Sequence, residues 1–255
     1  MIDCLIEPTN GEGLLSVPYS TYFPDQLALK CSRYESMVEF DLPVSYTINQ
    51  RGFRYTEPTT DNVLVASGCS MTFGTGMPQD QLYCELVAKE LNMECVNVGL
   101  PGTGPDIQII NAIWAVETYK PKYLLFYMSH PNRRFLATER GFMNWVPHHN
   151  MDEYTLTKIE QKIFILMDEK YNYTRPLSLI WQMYPLIQLC KKQNVNLLFR
   201  CWDKEAQQIF EFSEVFKDVK FLPDLPQLDK ARDNEHAGLS SHRLFCERIL
   251  NVIEI

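Results

Sequence analysis

The sequence predicts an α/β protein built on a parallel β-sheet with helices over both faces. Three observations carry that expectation. Strand-like and helix-like runs alternate from residue 62 to the end. The strand-like runs are short and mostly apolar, as strands covered on both faces should be. The chain has 255 residues, 45% hydrophobic and 22% charged, enough for one large core.

The elements follow in order. Asn62 to Gly68, with its Val63-Leu64-Val65-Ala66 run, reads as the first strand. Gln81 to Leu91 carries Leu82, Leu86, Val87 and Leu91 at helical spacing. Met93 to Val98 is a second strand and Ile107 to Tyr119 a helix. Tyr123 to Met128 (YLLFYM) is a third, fully apolar strand. Pro176 to Lys192 predicts a helix, Val195 to Cys201 a fourth strand, and Lys204 to Phe216 one continuous helix. Val219 to Leu222 is a short fifth strand. Leu239 to Ile253 closes the chain as a helix, with Leu239, Cys246, Ile249 and Ile253 roughly on one face.

Two regions stand outside the alternation. Residues 1–60 contain scattered prolines and a candidate strand at Val38 to Ile48, and are read as an N-terminal extension packed on a 61–255 core domain. Residues 130–173 form a long, polar and aromatic insertion; loops of that length are uncommon unless functional or disordered.

The net charge is −8, which disfavours nucleic acid and anionic membranes as default partners. No apolar stretch reaches the roughly 18–20 residues of a membrane span. The N-terminus lacks a signal peptide's basic region and long apolar core, and the eight cysteines form no CxxC pair. Reduced thiols and a cytoplasmic protein are therefore expected, with association with a viral particle left open. Cys95 and Cys201 fall in strand-like runs and are read as buried small hydrophobes.

In open α/β sheets, ligands bind beyond the carboxyl ends of the strands. The first such end is Gly68-Cys69-Ser70-Met71-Thr72-Phe73-Gly74-Thr75-Gly76. It is not a P-loop: Gly68 and Gly74 are one residue too far apart and no lysine follows. A dinucleotide fingerprint fails at Gln79, and a G-x-S-x-G elbow fails at Thr72. What remains is a serine directly after a buried strand.

A serine hydroxyl needs a base to become a nucleophile. Of five histidines, His130, His148, His149, His236 and His242, His236 lies just before the last helix, where the chain again opens at the carboxyl edge. Asp233 precedes it by three residues, a spacing that lets a carboxylate reach Nδ1 and leave Nε2 for the serine. The segment Asn97-Val98-Gly99-Leu100-Pro101-Gly102-Thr103-Gly104 supplies flexible backbone whose N–H groups suit an oxyanion.

Taken together these segments resemble the SGNH/GDSL hydrolase superfamily. Block one of that family, G-D-S-x-[ST]-x-G, is matched by Gly68 to Gly74 with Cys69 in place of the aspartate. Block two, N-x-G-x-x-G, is matched by Asn97 to Gly102, and block five, D-x-x-H, by Asp233 to His236. Asn49 to Arg54 (NQRGFR) resembles the N-S-x-G-F-R lead-in of bacterial and phage-type members. Block three, G-x-N-D, is degraded to Ser129-His130-Pro131-Asn132-Arg133, where Asn132 is the natural counterpart of the oxyanion asparagine.

The resemblance implies a flavodoxin-like three-layer α/β/α sandwich with a five-stranded parallel sheet. It implies an ester hydrolase working through an acyl-serine intermediate, on acyl esters or carbohydrate O-acetyl groups. Ser70 is the nucleophile, His236 the base, Asp233 its orienting partner. The oxyanion hole comes from the Ser70 and Gly102 N–H groups and the Asn132 side chain. The expected partner is a small-molecule or glycan ester, with no cofactor and no metal; the oligomeric state is open. Two alternatives stand beside it: a non-catalytic binding or structural protein on the same scaffold, and an O-acyltransferase. Ser70 has a plain reading as a helix-capping serine, Asp233 as a helix-start carboxylate, and Gly99 and Gly102 as turn glycines. His148, His149 and Asp152 lack a second ligand pair and are not expected to hold metal. Phe142, Trp145 and Tyr154 suit stacking on a sugar ring or an acyl chain, or simple loop packing.

Overall fold

A computed structural model describes residues 46, 48–49, 51–138, 141–145, 174–232 and 235–254; for 135–138, 141–145 and 254 only the backbone path is described. The candidate strand at 38–48 lies outside these residues, apart from Tyr46 and Ile48, which belong to no strand.

The predicted three-layer α/β/α fold is present. Its strands are β1 (Val63–Gly68), β2 (Glu94–Asn97), β3 (Tyr123–Met128), β6 (Asn196–Cys201) and β7 (Lys220–Phe221). They form one parallel sheet in the order β2-β1-β3-β6-β7. The order reverses at β1, so the crevice between β1 and β3 is the topological switch point.

Period-two alternation sets the faces. Val63, Val65, Leu124, Phe126, Leu197 and Phe199 point into one core layer. That layer is closed by α3 (Pro105–Tyr119), α4 (Thr174–Gln193) and α5 (Lys204–Glu211). Leu64, Ala66, Leu125, Tyr127 and Leu198 point into the other, closed by α2 (Tyr83–Glu90) and α6 (Leu239–Glu254).

Local chemistry explains the helix ends. Pro105 opens α3 behind the extended Gly104, where its missing N–H costs nothing. The Asp203 carboxylate caps α5 through Ala206 N–H. Asp229, ten residues before α6, accepts the N–H groups of Ser240 and Ser241 and so caps that helix from a distance.

One expectation needs correction. The helix predicted from Lys204 to Phe216 ends at Glu211, and a separate 3₁₀ turn spans Glu214–Phe216. Ser213 breaks it, because its hydroxyl accepts Val215 N–H and offers the backbone a local alternative. Inside the 130–173 insertion, β4 (Arg134–Thr138) and β5 (Gly141–Trp145) pair as an antiparallel hairpin.

The described part of the N-terminal extension packs on α3. Phe53 and Tyr55 are buried; Phe53 stacks on Trp114, and the Tyr55 hydroxyl bonds that of Tyr119 at 2.7 Å.

Candidate active site

Ser70 stands where β1 ends, as the first residue of a single helical turn, α1 (Ser70–Phe73). Two glycines make that turn possible. A Cβ on Gly68 would fall 2.2 Å from Thr72 Oγ1 and 2.6 Å from Tyr127 O. Gly74 has φ +81 and a Cβ there would meet Leu82 at 2.0 Å. Gly74 and Thr75 N–H both donate to Ser70 O, closing the turn. Cys69, not Ser70, occupies the helix-cap position, and no side-chain cap bond forms. The plain capping role is therefore not what holds Ser70 here. Its Oγ is 3.9 Å from Cys69 Sγ, and its side chain is half-buried.

The second segment is stitched to the first. Asn97 Nδ2 donates to Thr72 O at 2.7 Å while its Oδ1 accepts Gly99 N–H at 3.0 Å. Leu100 N–H donates to Gly68 O. Gly99 lies so close to α1 that a Cβ would sit 2.9 Å from Phe73 N. Gly102 has φ +74, and a Cβ there would meet no atom of the described residues within 4 Å.

The third segment follows β3. Gly104 packs against it, with a hypothetical Cβ 2.6 Å from Arg133 O. Arg175 grips the segment from α4: its Nε donates to Pro131 O, and its Nη2 bonds both Asp106 oxygens at 2.6 and 2.7 Å. Ser129 is fully buried and committed. Its N–H donates to Gln108 Oε1, and its hydroxyl donates to Thr103 O and accepts from Gln108 Nε2. Arg133 holds its guanidinium over the Trp202 ring at 5.8 Å, on the β6 side of the loop. Asn132 is 6% exposed, and its N–H donates to His130 Nδ1. Of the three polar side chains in the degraded block three, Ser129 is spent on structure, while Arg133 faces the Trp202 ring with its Nε and Nη1 making no hydrogen bond among the described residues.

The fourth segment carries His236. Lys230 and Ala237 form an antiparallel bridge, and Ala231 N–H donates to His236 O. Arg232 N–H donates to Gly76 O at 3.3 Å. The 230–232 arm that pairs with the His236 arm is thus hydrogen-bonded to the loop that follows Ser70. Asp233 lies outside the described residues, as do His148, His149, Asp152 and Tyr154; Phe142 and Trp145 are described in backbone only.

The other described histidines have structural work. His130 bridges Asn132 N–H and the Asp203 carboxylate, 3.6 Å away. His242 is 1% exposed and accepts Tyr83 N–H on Nδ1 at 2.9 Å, tying α6 to the start of α2. Burial pushes its pKa down from 6.5 to about 4. Unfolding frees it to bind a proton, so its contribution to stability is complete above the ordinary imidazole range. It is lost progressively as pH falls from about 6.5 to about 4. A drop on the order of 3 kcal/mol is expected over that window. Urea unfolding at pH 7 and pH 4.5, compared between the native protein and His242→Asn, checks it. Equal pH losses in both proteins would assign the effect elsewhere.

A cleft of about 770 Å³ opens at the amino edge of the sheet, lined in part by Thr59, Thr60, Asn62, Glu85, Lys89 and Glu94. Its carboxylates are engaged. Glu94 accepts from the backbone and hydroxyls of Thr59 and Thr60, which hold its pKa down to about 2, and Glu85 accepts from Gln79. It lies at the opposite end of β1 from Ser70. Among the described residues no cluster of metal-ligating side chains is found, and no helix is long and apolar enough to cross a membrane.

Sequence reasoning missed three residues that build the site: Arg54, Gln108 and Arg175. Arg54 had a signal, since it closes the NQRGFR segment. Gln108 and Arg175 had none, because their partners are distant in sequence.

No model of a known protein family matches this sequence, and no curated protein matches it either. Solved structures do. An acetyl xylan esterase from the rumen bacterium Butyrivibrio proteoclasticus is 13% identical, with a TM-score of 0.51; the match covers 77% of this chain and 64% of that one. A G-D-S-L-family protein from Desulfitobacterium hafniense, named as lipolytic, is 13% identical with a TM-score of 0.49, covering 75% of this chain and 99% of that one. The esterase EstA from Pseudoalteromonas sp. is 10% identical with a TM-score of 0.47, covering 76% and 97%. The likeness is one of fold.

Proposed function

We propose that this chain, whose fold is also that of an acetyl xylan esterase, is a serine ester hydrolase. The observation that carries the reading is the hydrogen bonding between four distant segments at one sheet edge. Leu100 reaches Gly68, Asn97 reaches Thr72, Ser129 reaches Thr103, and Arg232 reaches Gly76. Ser70, Gly102, Asn132 and His236 ride on those four segments.

In this reading Ser70 Oγ attacks the ester carbonyl carbon while His236 takes its proton. The tetrahedral oxyanion is met by the N–H groups of Ser70 and Gly102 and by the Asn132 amide. Collapse breaks the carbon–oxygen bond, and His236 returns the proton to the leaving alcohol. Water, activated by the same imidazole, then hydrolyses the acyl-serine. Asp233 orients His236. The likeness in fold to an acetyl xylan esterase supports a glycan O-acetyl ester or a short acyl ester as substrate. No cofactor is invoked in this chemistry.

A fluorophosphonate probe tests the reading. The folded protein should be labelled at Ser70, located by peptide mass spectrometry. The labelling rate should rise as pH is raised, because only a neutral imidazole can accept the serine proton. A folded sample that takes no label, and hydrolyses no short-chain ester, would favour the non-catalytic binding protein. Label at a residue other than Ser70 would overturn the assignment of the nucleophile.

A further inference from the structure

The loop from Phe73 to Met77 has an acceptor problem. Its helical turn is a single one, Gly74 is left-handed, and the carbonyls of Phe73, Gly74 and Met77 converge on the interior. Buried carbonyls need donors. All three find the same one. Arg54 Nη1 donates to Phe73 O at 2.9 Å and Gly74 O at 2.8 Å, and Nη2 donates to Met77 O at 2.6 Å. Arg54 is 0% exposed, and its guanidinium lies over the rings of Tyr46 at 4.6 Å and Phe73 at 5.4 Å.

Burying a guanidinium is costly. A planar fork of five donors is what spans several acceptors rigidly, which an ammonium cannot do as well. The grip reaches the backbone of both proposed catalytic residues. On one side, Ser70 O accepts Gly74 and Thr75 N–H within the gripped loop. On the other, Gly76 is fixed at both ends: its N–H donates to Tyr46 Oη at 2.7 Å and its carbonyl accepts Arg232 N–H. Ala231, next to Arg232, donates to His236 O. Hydrogen bonds and the peptide links between adjoining residues thus connect Arg54, through Met77 and Gly76, to the His236 segment.

We propose that Arg54, with Tyr46 beside it, is a positioning residue that sets the Ser70 turn and the His236 segment in register. The proposal rests on the ester-hydrolase reading for its catalytic consequence. Its mechanical part stands on the contacts alone. Segment 46–54 is then a working part of the site rather than a leader to the domain.

The test uses the full chain carrying Arg54→Lys, and separately Tyr46→Phe, which removes the Gly76 bond while keeping the ring. Phe210→Leu, in the distant α5 core, serves as the control for general destabilisation. Amide hydrogen exchange by mass spectrometry is read on peptides spanning 70–77 and 230–238, and kcat and KM on p-nitrophenyl acetate. Arg54→Lys should speed exchange in both peptides by about tenfold or more while α4 peptides hold. It should lower kcat on the order of 10–100-fold with KM nearly unchanged, the signature of misplaced groups. Tyr46→Phe should do the same more weakly, and Phe210→Leu should do neither. Unchanged exchange at 70–77 in both variants overturns the proposal, as does faster exchange at 70–77 with none at 230–238. If the native protein neither labels nor turns over, the hydrolase reading fails by itself, and the exchange data still decide whether Arg54 holds the two segments together.

Discussion

Replacing Ser70 with alanine is expected to lower kcat on a short-chain ester on the order of 10⁴–10⁶-fold with the fold intact, and His236→Ala by a similar factor. The double variant should be no worse than either single one. The two side chains act as a unit: an unactivated hydroxyl is a poor nucleophile, and a base without its serine has nothing to deprotonate. Steady-state kinetics on the three purified variants, with circular dichroism to confirm the fold, provide the check. Multiplicative losses would mean that the two residues act in separate steps. A Ser70→Ala protein with a tenth of native activity would end the proposed mechanism. The geometry that motivates the pairing is the Arg232–Gly76 bond, which lays the arm paired with His236 against the loop leaving Ser70.

The second large effect is expected at Asn132. Losing one oxyanion donor typically costs about 10²–10³ in kcat, or roughly 3–4 kcal/mol. Asn132→Ala should lose that much with little change in KM, because the amide acts on charge that develops after binding. Arg133→Ala should lose less, since its guanidinium faces the Trp202 ring on the β6 side of the loop. Ser129→Ala is not an informative comparison for catalysis. It strips a buried network joining Thr103, Gln108 and the β3 exit and should lower stability instead. A normal kcat in Asn132→Ala beside an inactive Ser70→Ala would leave the oxyanion to backbone donors alone. A loss at Arg133 equal to that expected at Asn132 would shift the block-three register by one residue.

Much of this was legible in the amino-acid order. A strand buried on both faces must be apolar throughout, and a helix between two such strands must repeat its apolar positions every three to four residues. Val63 to Ala66 and Tyr123 to Met128 therefore announced a parallel sheet before any coordinate did, and the parallel sheet put Ser70, Gly102 and His236 at one edge. The glycines were legible for a related reason. Gly68 and Gly74 sit where any Cβ would strike Thr72, Tyr127 or Leu82, so only glycine allows the turn that presents Ser70.

Local pattern could not say which polar residues do chemistry and which hold the frame. Ser129, Asn132 and Arg133 are equivalent as letters; Gln108, 21 residues away, commits the first of them to structure. His242 and His236 are both histidines near the start of α6. One is spent on Tyr83, 159 residues away in sequence, while the other stands half-buried opposite the arm that meets Gly76. Arg54 gives no periodic signal because its three acceptors lie 19 to 23 residues further on. Hydrophobic burial is read from spacing because it depends only on which face a residue takes. Hydrogen bonds across the sheet edge depend on where the chain returns, and only the tertiary structure decided that.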